Sequence, residues 1–356
     1  MSNLNTIHNS FRLNGSSFSS QDQLLVFAKE LSSSTHSFLT DWFNTANFIV
    51  VHTSGSTGVP KPIHLKKEHM TNSAYATGAF FKLPENTKAL LCLSTEFIAG
   101  KMMLVRALVL GWHLDIVGPS SNPLRGIEKT YEFCAMVPMQ LNNSIDQLHL
   151  IKKLIVGGGA VSKGLLQKTE KLKTDIFATY GMTETITHIA IKKLNHIRHA
   201  ELDSASHYSV LPNIKIFKDN KGCLVIDAPK ISDIQITTND LVEIISKSEF
   251  RWLGRYDNII SSGGIKVSPE LIEEKLENVI KQRFFAAGIP DTILGEKLII
   301  VIESENIEQN LLDKIKEVKT LSKYEIPKEL YTVPTFVNTE TKKINRKKTL
   351  DNLNLL

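Results

Sequence analysis

The stretch that decides the fold is Thr53-Ser54-Gly55-Ser56-Thr57-Gly58-Val59-Pro60-Lys61. It follows the apolar run Phe48-Ile49-Val50-Val51, whose β-branched residues and flanking turn residues predict a buried strand. Glycines let the backbone curl so that successive N–H groups converge on an anion, and hydroxyl groups add further donors. Lys61 adds a mobile positive charge that can reach a phosphate. Together these features predict a phosphate-binding loop.

Two alternatives to this loop can be weighed from the residues. The Walker pattern G-x-x-x-x-G-K-[ST] does not fit, because Pro60 stands where its second glycine must be. A flexible Ser/Gly surface turn is the other alternative, but such turns seldom follow a buried strand and end in Gly-x-Pro-Lys.

Composition limits the classes of protein to which the chain can belong. Its 356 residues suffice for two domains, and 42% hydrophobic residues suffice for a sizeable core. The net charge of +5 suits anionic small substrates such as nucleotides and CoA as well as it suits nucleic acid. The three scattered cysteines form no C-x-x-C pair, the start is polar, and the most apolar stretch (97–117) is interrupted by charges. We therefore expect a soluble cytoplasmic protein without a membrane span.

Strands and helices alternate along the first half of the chain. The apolar patterns predict helices at 21–31, 35–44, 67–81, 98–110 and 161–171, and strands at 89–93, 113–117, 133–137, 153–156 and 175–179. This alternation is typical of an α/β domain with a largely parallel sheet, in which ligands bind at the carboxyl ends of the strands. Residues 202–253 change to short strands, among them 234–236 and 241–244, and predict a small β-section that closes the large domain. Residues from 255 onward predict a compact α+β unit with helices near 269–282 and 309–321.

A second motif, Tyr180-Gly181-Met182-Thr183-Glu184-Thr185, follows one of the predicted strands. Tyr180 offers an aromatic surface for a base, and Thr183 offers a hydroxyl for a phosphate. Glu184 offers the hard oxygen ligand that Mg²⁺ takes together with nucleotide phosphates. The structural alternative makes Thr183 a helix cap and Glu184 an acid in a first helical turn.

Three further motifs lie downstream of predicted strands or near the end of the chain. They are Gly157-Gly158-Gly159-Ala160, the stretch Asn239-Asp240-Leu241, and the run Gly254-Arg255-Tyr256-Asp257-Asn258-Ile259-Ile260-Ser261-Ser262-Gly263-Gly264-Ile265-Lys266-Val267-Ser268-Pro269. Each has a structural alternative: a steric need for glycine in the first, turn chemistry of the aspartate in the second, and a salt-bridged Arg–Asp pair in the third. They do not explain the whole long run.

In order and content, these motifs resemble those of the adenylate-forming superfamily, which includes acyl-CoA synthetases, peptide-synthetase adenylation domains and luciferases. The resemblance implies that ATP or AMP binds along the phosphate loop (Thr53 to Gly58, with Lys61), the Gly157–Ala160 turn and Tyr180 to Thr183. It further implies that Asp240 and Arg255 bind the ribose, that Asp257 is a hinge and that Gly263 and Gly264 let a loop pass close to CoA. The implied domains are 1–254 and a mobile lid, 255–356.

The run Thr339-Glu340-Thr341-Lys342-Lys343-Ile344-Asn345-Arg346 resembles the family motif T-x-x-G-K-[IL]-x-R. Lys343 then falls on the catalytic lysine that bridges the substrate carboxylate and the α-phosphate. Lys342 replaces the usual glycine, so a shift of one residue could make Lys342 the acting amine. A basic solvated tail or a nucleic-acid patch is the alternative.

Within the superfamily, the chain most resembles the short o-succinylbenzoate–CoA ligases of menaquinone biosynthesis. Only 52 residues precede Thr53, so we expect a reduced N-terminal part. Those ligases often carry H-x-x-G where this chain has Phe97-Ile98-Ala99-Gly100, and an aromatic there would form a wall of the acyl pocket. Arg106 could meet the distal carboxylate of a dicarboxylic substrate, although an arginine on a helix surface is the alternative.

The resemblance implies an AMP-forming acid–CoA ligase that uses Mg²⁺, ATP and CoA, with Lys343, Thr183, Glu184 and Lys61 in catalysis. Small molecules are the expected partners, with no nucleic acid, and a homodimer is one assembly open to such a chain. Two alternatives remain at this point: an adenylation protein that loads a carrier protein, and a non-catalytic nucleotide-binding relative.

Overall fold

The computed structural model describes residues 6–52, 61–196, 207–339 and 343–356. Thr53 to Gly58 of the phosphate loop, and Lys342, lie outside these ranges, so what the sequence predicts for them stays a prediction. The elements up to the Tyr180 motif are β1 (Arg12–Leu13), α1 (Gln21–Leu31), α2 (Ser33–Phe43), β2 (Phe48–His52), β3 (Pro62–Lys66), α3 (Lys67–Phe81), β4 (Lys88–Leu91), α4 (Ile98–Leu110), β5 (His113–Ile116), β6 (Tyr131–Met136), α5 (Pro138–Asn143), β7 (Ile151–Val156), α6 (Lys163–Thr169) and β8 (Asp175–Gly181).

The remaining elements are mostly strands. They are β9 (His188–Lys193), β10 (Tyr208–Val210), β11 (Lys215–Lys218), β12 (Cys223–Asp227), β13 (Ile236–Ser246), β14 (Glu249–Arg255), β15 (Ile260–Ser262), β16 (Ile265–Val267), α7 (Pro269–Leu276), β17 (Phe284–Asp291), β18 (Gly295–Glu303), α8 (Leu311–Lys316), β19 (Glu329–Val333) and α9 (Arg346–Asn352).

Within the described ranges, twelve strands form one sheet in the order β1-β5-β4-β6-β7-β8-β9-β10-β14-β13-β12-β11. From β1 to β8 all neighbours are parallel, which confirms the expected α/β fold. From β8 onward all neighbours are antiparallel. The strands expected to close the domain as a small β-section therefore extend the parallel sheet instead, and the two strands expected at 234–236 and 241–244 are one strand, β13.

The change from parallel to antiparallel follows from a tight reversal after β8. Any side chain on Gly181 would collide with the carbonyl of Thr187, so only glycine lets the two segments come this close. Ile186 has a φ of 66°, in the left-handed region. The chain therefore turns back beside β8 without a crossover helix, and the Tyr180 motif lies in this reversal.

Two cores lie on the two faces of the sheet. Neighbouring residues of the parallel strands alternate between them: Leu90 and Cys134 belong to one core, Leu91 and Phe133 to the other. Helices α1 to α4 cover the larger core, and α5 and α6 cover the smaller one. The Gly157 turn follows the carboxyl end of β7, and the Tyr180 motif begins at the carboxyl end of β8.

The strand before the phosphate loop differs from its prediction as a buried strand. Among the residues that the structure describes, β2 pairs only with β3, in an antiparallel register that joins His52 to Pro62. Its residues alternate, with Ile49 and Val51 buried but Phe48 and Val50 37% and 41% exposed. The run lies on a two-stranded ribbon, where only one face can pack. The phosphate loop is thus the connection between the two strands of this ribbon and not the end of a strand in the main sheet.

A second sheet begins after Arg255. Its order is β16-β15-β18-β17, with β19 parallel to β18. Helices α7 and α8 cover one face through Ile272, Leu276 and Ile315, and α9 covers the other through Leu350. Both α7 and α8 end earlier than predicted. None of the helices in the described part of the chain combines the length and the apolar character that crossing a bilayer requires.

Candidate active site

The Tyr180 side chain joins the Tyr180 motif to Asp240. The Tyr180 hydroxyl donates a hydrogen bond of 2.6 Å to Asp240 Oδ2, and Trp252 Nε1 donates one of 3.1 Å to Asp240 Oδ1. Burial, followed by the Asp240 charge, raises the pKa of Tyr180 well above its ordinary value, so its hydroxyl remains a donor. The tyrosine ring packs against Tyr208 and Phe250. Asp240, which is predicted to bind a ribose, therefore has a fixed orientation.

Trp252 was not among the residues singled out from the sequence. It lies on β14, which pairs with β13 so that Asp240 faces Arg255 and Val242 faces Trp252. Asp240 lies within strand β13, so the alternative of turn chemistry for this aspartate is wrong. Aligning the two strands about their short connection would have brought Trp252 close to the aspartate, which is the signal that sequence reasoning left unused.

A short 3₁₀ helix, Thr183–Thr185, follows Tyr180 and Gly181. Thr185 fixes it, because its Oγ1 accepts a bond from the Met182 N–H at 2.9 Å and lies 2.8 Å from the Thr187 carbonyl. Thr183 is partly exposed and Glu184 exposed, and neither side chain has a hydrogen bond or an ion pair within the described ranges. Both side chains remain available for a ligand.

Glu184 fits the Mg²⁺ that the family implies. Within the described part of the chain, no three acidic, histidine or cysteine side chains come together as a metal site. A magnesium ion held mainly by nucleotide phosphates and water needs only one or two carboxylates, and Glu184 supplies one without a competing cation.

The Gly157-Gly158-Gly159-Ala160 turn follows β7, next to β8. A Cβ on Gly157 would lie 2.5 Å from Thr179 Oγ1, and Gly158 has a φ of 79°. Close packing and backbone conformation thus explain the first two glycines, which is the steric alternative given above. Gly158, Gly159 and Ala160 are exposed, so their backbone is also open to a ligand.

Arg255, Asp257 and Asn239 form a polar cluster where the two sheets meet. Arg255 Nη2 lies 3.6 Å from Asp257 Oδ2, and Asn239 Nδ2 donates a hydrogen bond to the same oxygen. Asn239 belongs to β13, whereas Asp257 follows β14, so the side chain at the predicted hinge is held by the large sheet. Sequence reasoning did not assign a role to Asn239.

Lys343 is hydrogen-bonded to Thr339 and lies near Arg255. The Thr339 N–H donates to the Lys343 carbonyl at 2.8 Å, and the Lys343 N–H donates to Thr339 Oγ1 at 3.1 Å. Crowding of the amine by surrounding protein, followed by the Arg255 charge, lowers the pKa of Lys343. The lysine of the second sheet thus shares the electrostatic environment of the predicted ribose residue. Since Lys342 lies outside the described ranges, the question of register between the two lysines stays open.

The glycines predicted to face CoA form the turn of a hairpin. Gly263 and Gly264 connect β15 to β16 and have φ values of 57° and 80°. A two-residue turn of this kind requires positive φ at both positions, which glycine adopts without strain. No atom lies within 4 Å of a Cβ built on Gly264. The turn is therefore open on the side of Gly264, and its glycines have a structural reason independent of any ligand.

Arg106 is buried, with only 1% of the residue exposed. The alternative of an arginine on the helix surface is therefore wrong. Its Nη2 donates to Thr187 Oγ1 at 2.9 Å, its Nε to Thr77 Oγ1 at 3.3 Å and its Nη1 to Met103 Sδ at 3.6 Å. Burial lowers the pKa of Arg106 to about 10, so it remains charged at neutral pH. Within the described ranges, no carboxylate pairs with it.

His188 lies beside Arg106 and was also missed. Its Nδ1 is 3.2 Å from Thr187 Oγ1, and its buried Nε2 has no hydrogen-bond partner in the described part of the chain. Burial, followed by the Arg106 charge, lowers the pKa of His188 to about 3. Arg106, Thr187 and His188 therefore form a buried cluster rich in donors, directly behind Gly181 of the Tyr180 motif.

The other residues predicted at the acyl pocket begin α4. Phe97 is 47% exposed, and Gly100 packs so closely on the Ser94 carbonyl that any side chain would collide with it. Lys101 Nζ donates to the carbonyls of Thr95 and Glu96 and so fixes the turn before the helix. Lys61 is exposed at the end of the phosphate loop. The structure thus brings together the Tyr180 motif, Asp240, Arg255 and Lys343, and places Arg106 behind the motif.

Comparisons with known proteins identify the family and the fold. A family model described as AMP-binding enzyme matches residues 16–229. An acyl-CoA synthetase (AMP-forming)/AMP-acid ligase II-like protein from Dyadobacter fermentans is 37% identical, with a TM-score of 0.59 over 90% of this chain and 94% of that chain. The o-succinylbenzoate coenzyme A synthetase of Bacillus subtilis, solved with ATP and magnesium, has a TM-score of 0.73 at 18% identity, over 94% of this chain and 82% of that one. At that identity the likeness is one of fold.

Among curated proteins, the 2-succinylbenzoate–CoA ligase of Staphylococcus aureus is 24% identical over 330 residues. The match covers 84% of this chain, which spans only 66% of the length of that ligase. Because the family model covers more than half of the 356 residues, the chain belongs to the family of AMP-binding enzymes.

Proposed function

We propose that the protein is an AMP-forming acid–CoA ligase whose substrate is o-succinylbenzoate, which would place it in menaquinone biosynthesis. The reaction is acid + ATP + CoA → acyl-CoA + AMP + pyrophosphate, through an acyl-adenylate. Membership of the AMP-binding family and the grouping of Tyr180, Asp240, Arg255 and Lys343 support the reaction type. The names of the curated relatives support the substrate.

The observation that carries the choice of substrate is the buried Arg106 without an acidic partner. An ionised side chain is costly to bury unless it is paired, and a guanidinium has five N–H donors. Arg106 makes three hydrogen bonds, all to neutral acceptors. A substrate with two carboxylates places one at the α-phosphate of ATP and the other against Arg106, and o-succinylbenzoate is such an acid.

In the first step, an oxygen of the substrate carboxylate attacks the α-phosphorus as the bond to pyrophosphate breaks. The protein forms no covalent bond to substrate, so positioning and charge stabilisation carry this step. Asp240 and Arg255 hold the ribose, and Lys343 stabilises charge between carboxylate and α-phosphate, with Thr183 and Lys61 as further donors. Mg²⁺ held at Glu184 would neutralise phosphate charge.

In the second step, the CoA thiolate attacks the acyl carbon and AMP leaves. We propose that residues 255–356 form a lid domain that turns about Asp257, so that Lys343 leaves and the Gly263–Gly264 turn approaches the thiol. Hinged closure of this kind separates steps that need different surroundings. The contacts of Asp257 with Asn239 and Arg255 would have to break during this turn.

The test of the function is pyrophosphate release with Mg-ATP and CoA. We compare o-succinylbenzoate with benzoate, acetate and medium-chain fatty acids. Turnover confined to o-succinylbenzoate supports the whole proposal, whereas turnover with another acid keeps the ligase and refutes the substrate. No release with any acid refutes the ligase.

The test of the two steps is Lys343→Ala. This variant should lose formation of the acyl-adenylate yet keep CoA transfer from supplied acyl-adenylate. Lys342→Ala is the matched control for the register of the lysine loop. Equal loss of both steps in Lys343→Ala contradicts the division of labour.

A further inference from the structure

Glu274 of α7 and Glu277, which follows this helix directly, contact Lys163 at the start of α6 and so connect the second sheet with the large one. Glu277 Oε2 accepts a hydrogen bond of 2.7 Å from the Lys163 backbone N–H. The Lys163 amine donates to the Glu274 carbonyl at 2.8 Å and lies 3.7 Å from Glu274 Oε1. One lysine thus meets α7 through its backbone and its side chain.

A second cation of the large sheet faces the same acid. Burial lowers the pKa of Lys192, and the Glu274 charge partly offsets this shift, so the two groups lie within electrostatic reach. Lys192 also lies over the Tyr208 ring, at 5.1 Å from its centroid. Lys163 of α6 thus contacts Glu274 and Glu277, Lys192 of β9 lies within electrostatic reach of Glu274, and the charges are complementary.

Both ends of this contact lead to the candidate active site. On one side, Lys163 follows the Gly157–Ala160 turn by three residues. On the other side, α7 carries Glu273, which accepts a bond of 2.9 Å from Arg346 Nη2. Arg346 begins α9, three residues after Lys343. A shift of α7 relative to Lys163 would therefore also shift Arg346 and, with it, Lys343.

We propose that Lys163, Glu274 and Glu277 are positioning residues that hold the second sheet where Lys343 reaches the site, and so favour the adenylate-forming step. None of the three is placed against substrate. The inference rests on the proposed function, because it assigns the contact to one of the two steps. In the second step the contact breaks as residues 255–356 turn.

The first experiment separates the two half-reactions. In Glu274→Gln/Glu277→Gln, pyrophosphate exchange should fall about 3- to 10-fold, as expected for one charge-assisted hydrogen bond and one exposed ion pair. CoA transfer from supplied acyl-adenylate should be unchanged or faster. Lys163→Arg should keep the wild-type ratio of the two rates. Lys168→Gln is the control, because Lys168 lies on α6 like Lys163 but bonds to Asn142. This variant should change neither half-reaction.

Ionic strength supplies a readout that loss of packing does not move. Added salt should slow pyrophosphate exchange more steeply in the wild type than in Glu274→Gln/Glu277→Gln, because salt screens the contact only where the charges exist. Equal loss of both half-reactions in the double variant, with the salt dependence of the wild type, overturns the proposal.

A second experiment reads the contact without turnover. A carbodiimide joins an amine to a carboxylate that it touches, so the wild type should give a Lys163–Glu274 cross-link detectable by mass spectrometry. The Lys275–Glu325 pair is the internal control, because its two atoms lie 2.6 Å apart and both residues belong to 255–356. Absence of the Lys163–Glu274 product beside the control product refutes the contact even in an active ligase. Both products in a protein inactive on every acid refute the ligase and support the contact.

Discussion

Two arginines in different parts of the molecule show how a cation shielded from solvent can be structural in one place and functional in another. Arg346, at the start of α9, is 26% exposed, lies 2.9 Å from Glu273 and 3.8 Å from Glu270, and donates to the Ala286 carbonyl. Arg106, in the large domain, is more deeply buried but bonds only to two hydroxyl groups and a sulfur within the described ranges.

The two arginines differ in whether an acidic side chain of the fold neutralises the guanidinium charge. The surroundings of Arg346 satisfy it within the fold, so its removal leaves acids unpaired. The surroundings of Arg106 leave its charge without an acid, so the fold gains little from it and a bound carboxylate would gain much. The same substitution, arginine to methionine, should therefore act in opposite ways at the two positions.

The largest effect should come from Arg106→Met. We expect kcat/KM for o-succinylbenzoate to fall about 100- to 1,000-fold, as when one partner of a buried charge pair is removed. Activity with a monocarboxylic acid should change little, and the midpoint of urea unfolding should stay or rise. Arg125→Met, at an exposed arginine, is the control. Equal loss with mono- and dicarboxylic acids contradicts a distal carboxylate at Arg106.

Arg346→Met should instead destabilise the protein. We expect the free energy of unfolding to fall by about 2–4 kcal/mol, because Glu273, whose side chain is only 20% exposed, is left without its cation. Arg283→Met is the matched control: Arg283 is 48% exposed and pairs with Glu303, so its loss should cost less than about 1 kcal/mol. A stable Arg346→Met protein would remove the contrast between the two arginines.

The third effect depends on pH and involves His188, beside Arg106. Its pKa is about 3 in the folded protein against an ordinary value of 6.5, so the unfolded chain binds this proton first as the pH falls. The stability contributed by the neutral histidine is complete above pH 6.5 and decreases as the pH falls toward 3. By pH 5 the loss should be about 2 kcal/mol, at 1.36 kcal/mol per pH unit.

His188→Gln should remove this loss, so that urea midpoints fall less between pH 6.5 and pH 5 than in the wild type. His149→Gln, at an exposed histidine, is the control. Arg106→Met should also reduce the loss, because the Arg106 charge is one of the two causes that lower the His188 pKa. A His188→Gln protein with the wild-type pH dependence would show that the histidine is not held neutral by burial and by Arg106.

Local sequence patterns predicted much of this fold. The observed bounds of α3 and α4, Lys67–Phe81 and Ile98–Leu110, equal the predicted ones, since each is a long run of residues suited to a helix. Helix α4 ends where Gly111 adopts a φ of 69°, the left-handed conformation that glycine favours at a helix end. The parallel sheet was likewise predictable from the alternation of strands and helices.

Contacts between distant segments were not predictable in this way. The bond from Arg106 to Thr187 joins residues 81 positions apart, and an arginine among apolar helix residues is usually exposed. The pairing of β2 with β3 in a separate ribbon also depends on tertiary contacts, because a short apolar run fits a two-stranded ribbon as well as a central strand. Sequence motifs singled out the candidate site residues, whereas the side chains that bond to them, such as Trp252 and Thr187, come from other segments of the chain.

Thr187 supplies the smallest effect and the sharpest test of how Arg106 is held. Thr187→Val removes the acceptor at 2.9 Å while keeping the shape of the side chain, and should lower kcat/KM for o-succinylbenzoate about 5- to 10-fold, about 1 kcal/mol. Thr77→Val removes the longer bond of 3.3 Å and should have a smaller effect. Neither should change activity with a monocarboxylic acid, because both act through the orientation of the guanidinium. A larger effect from Thr77 than from Thr187 would mean that the guanidinium is held from the α3 side, and the carboxylate site would then have to be sought there.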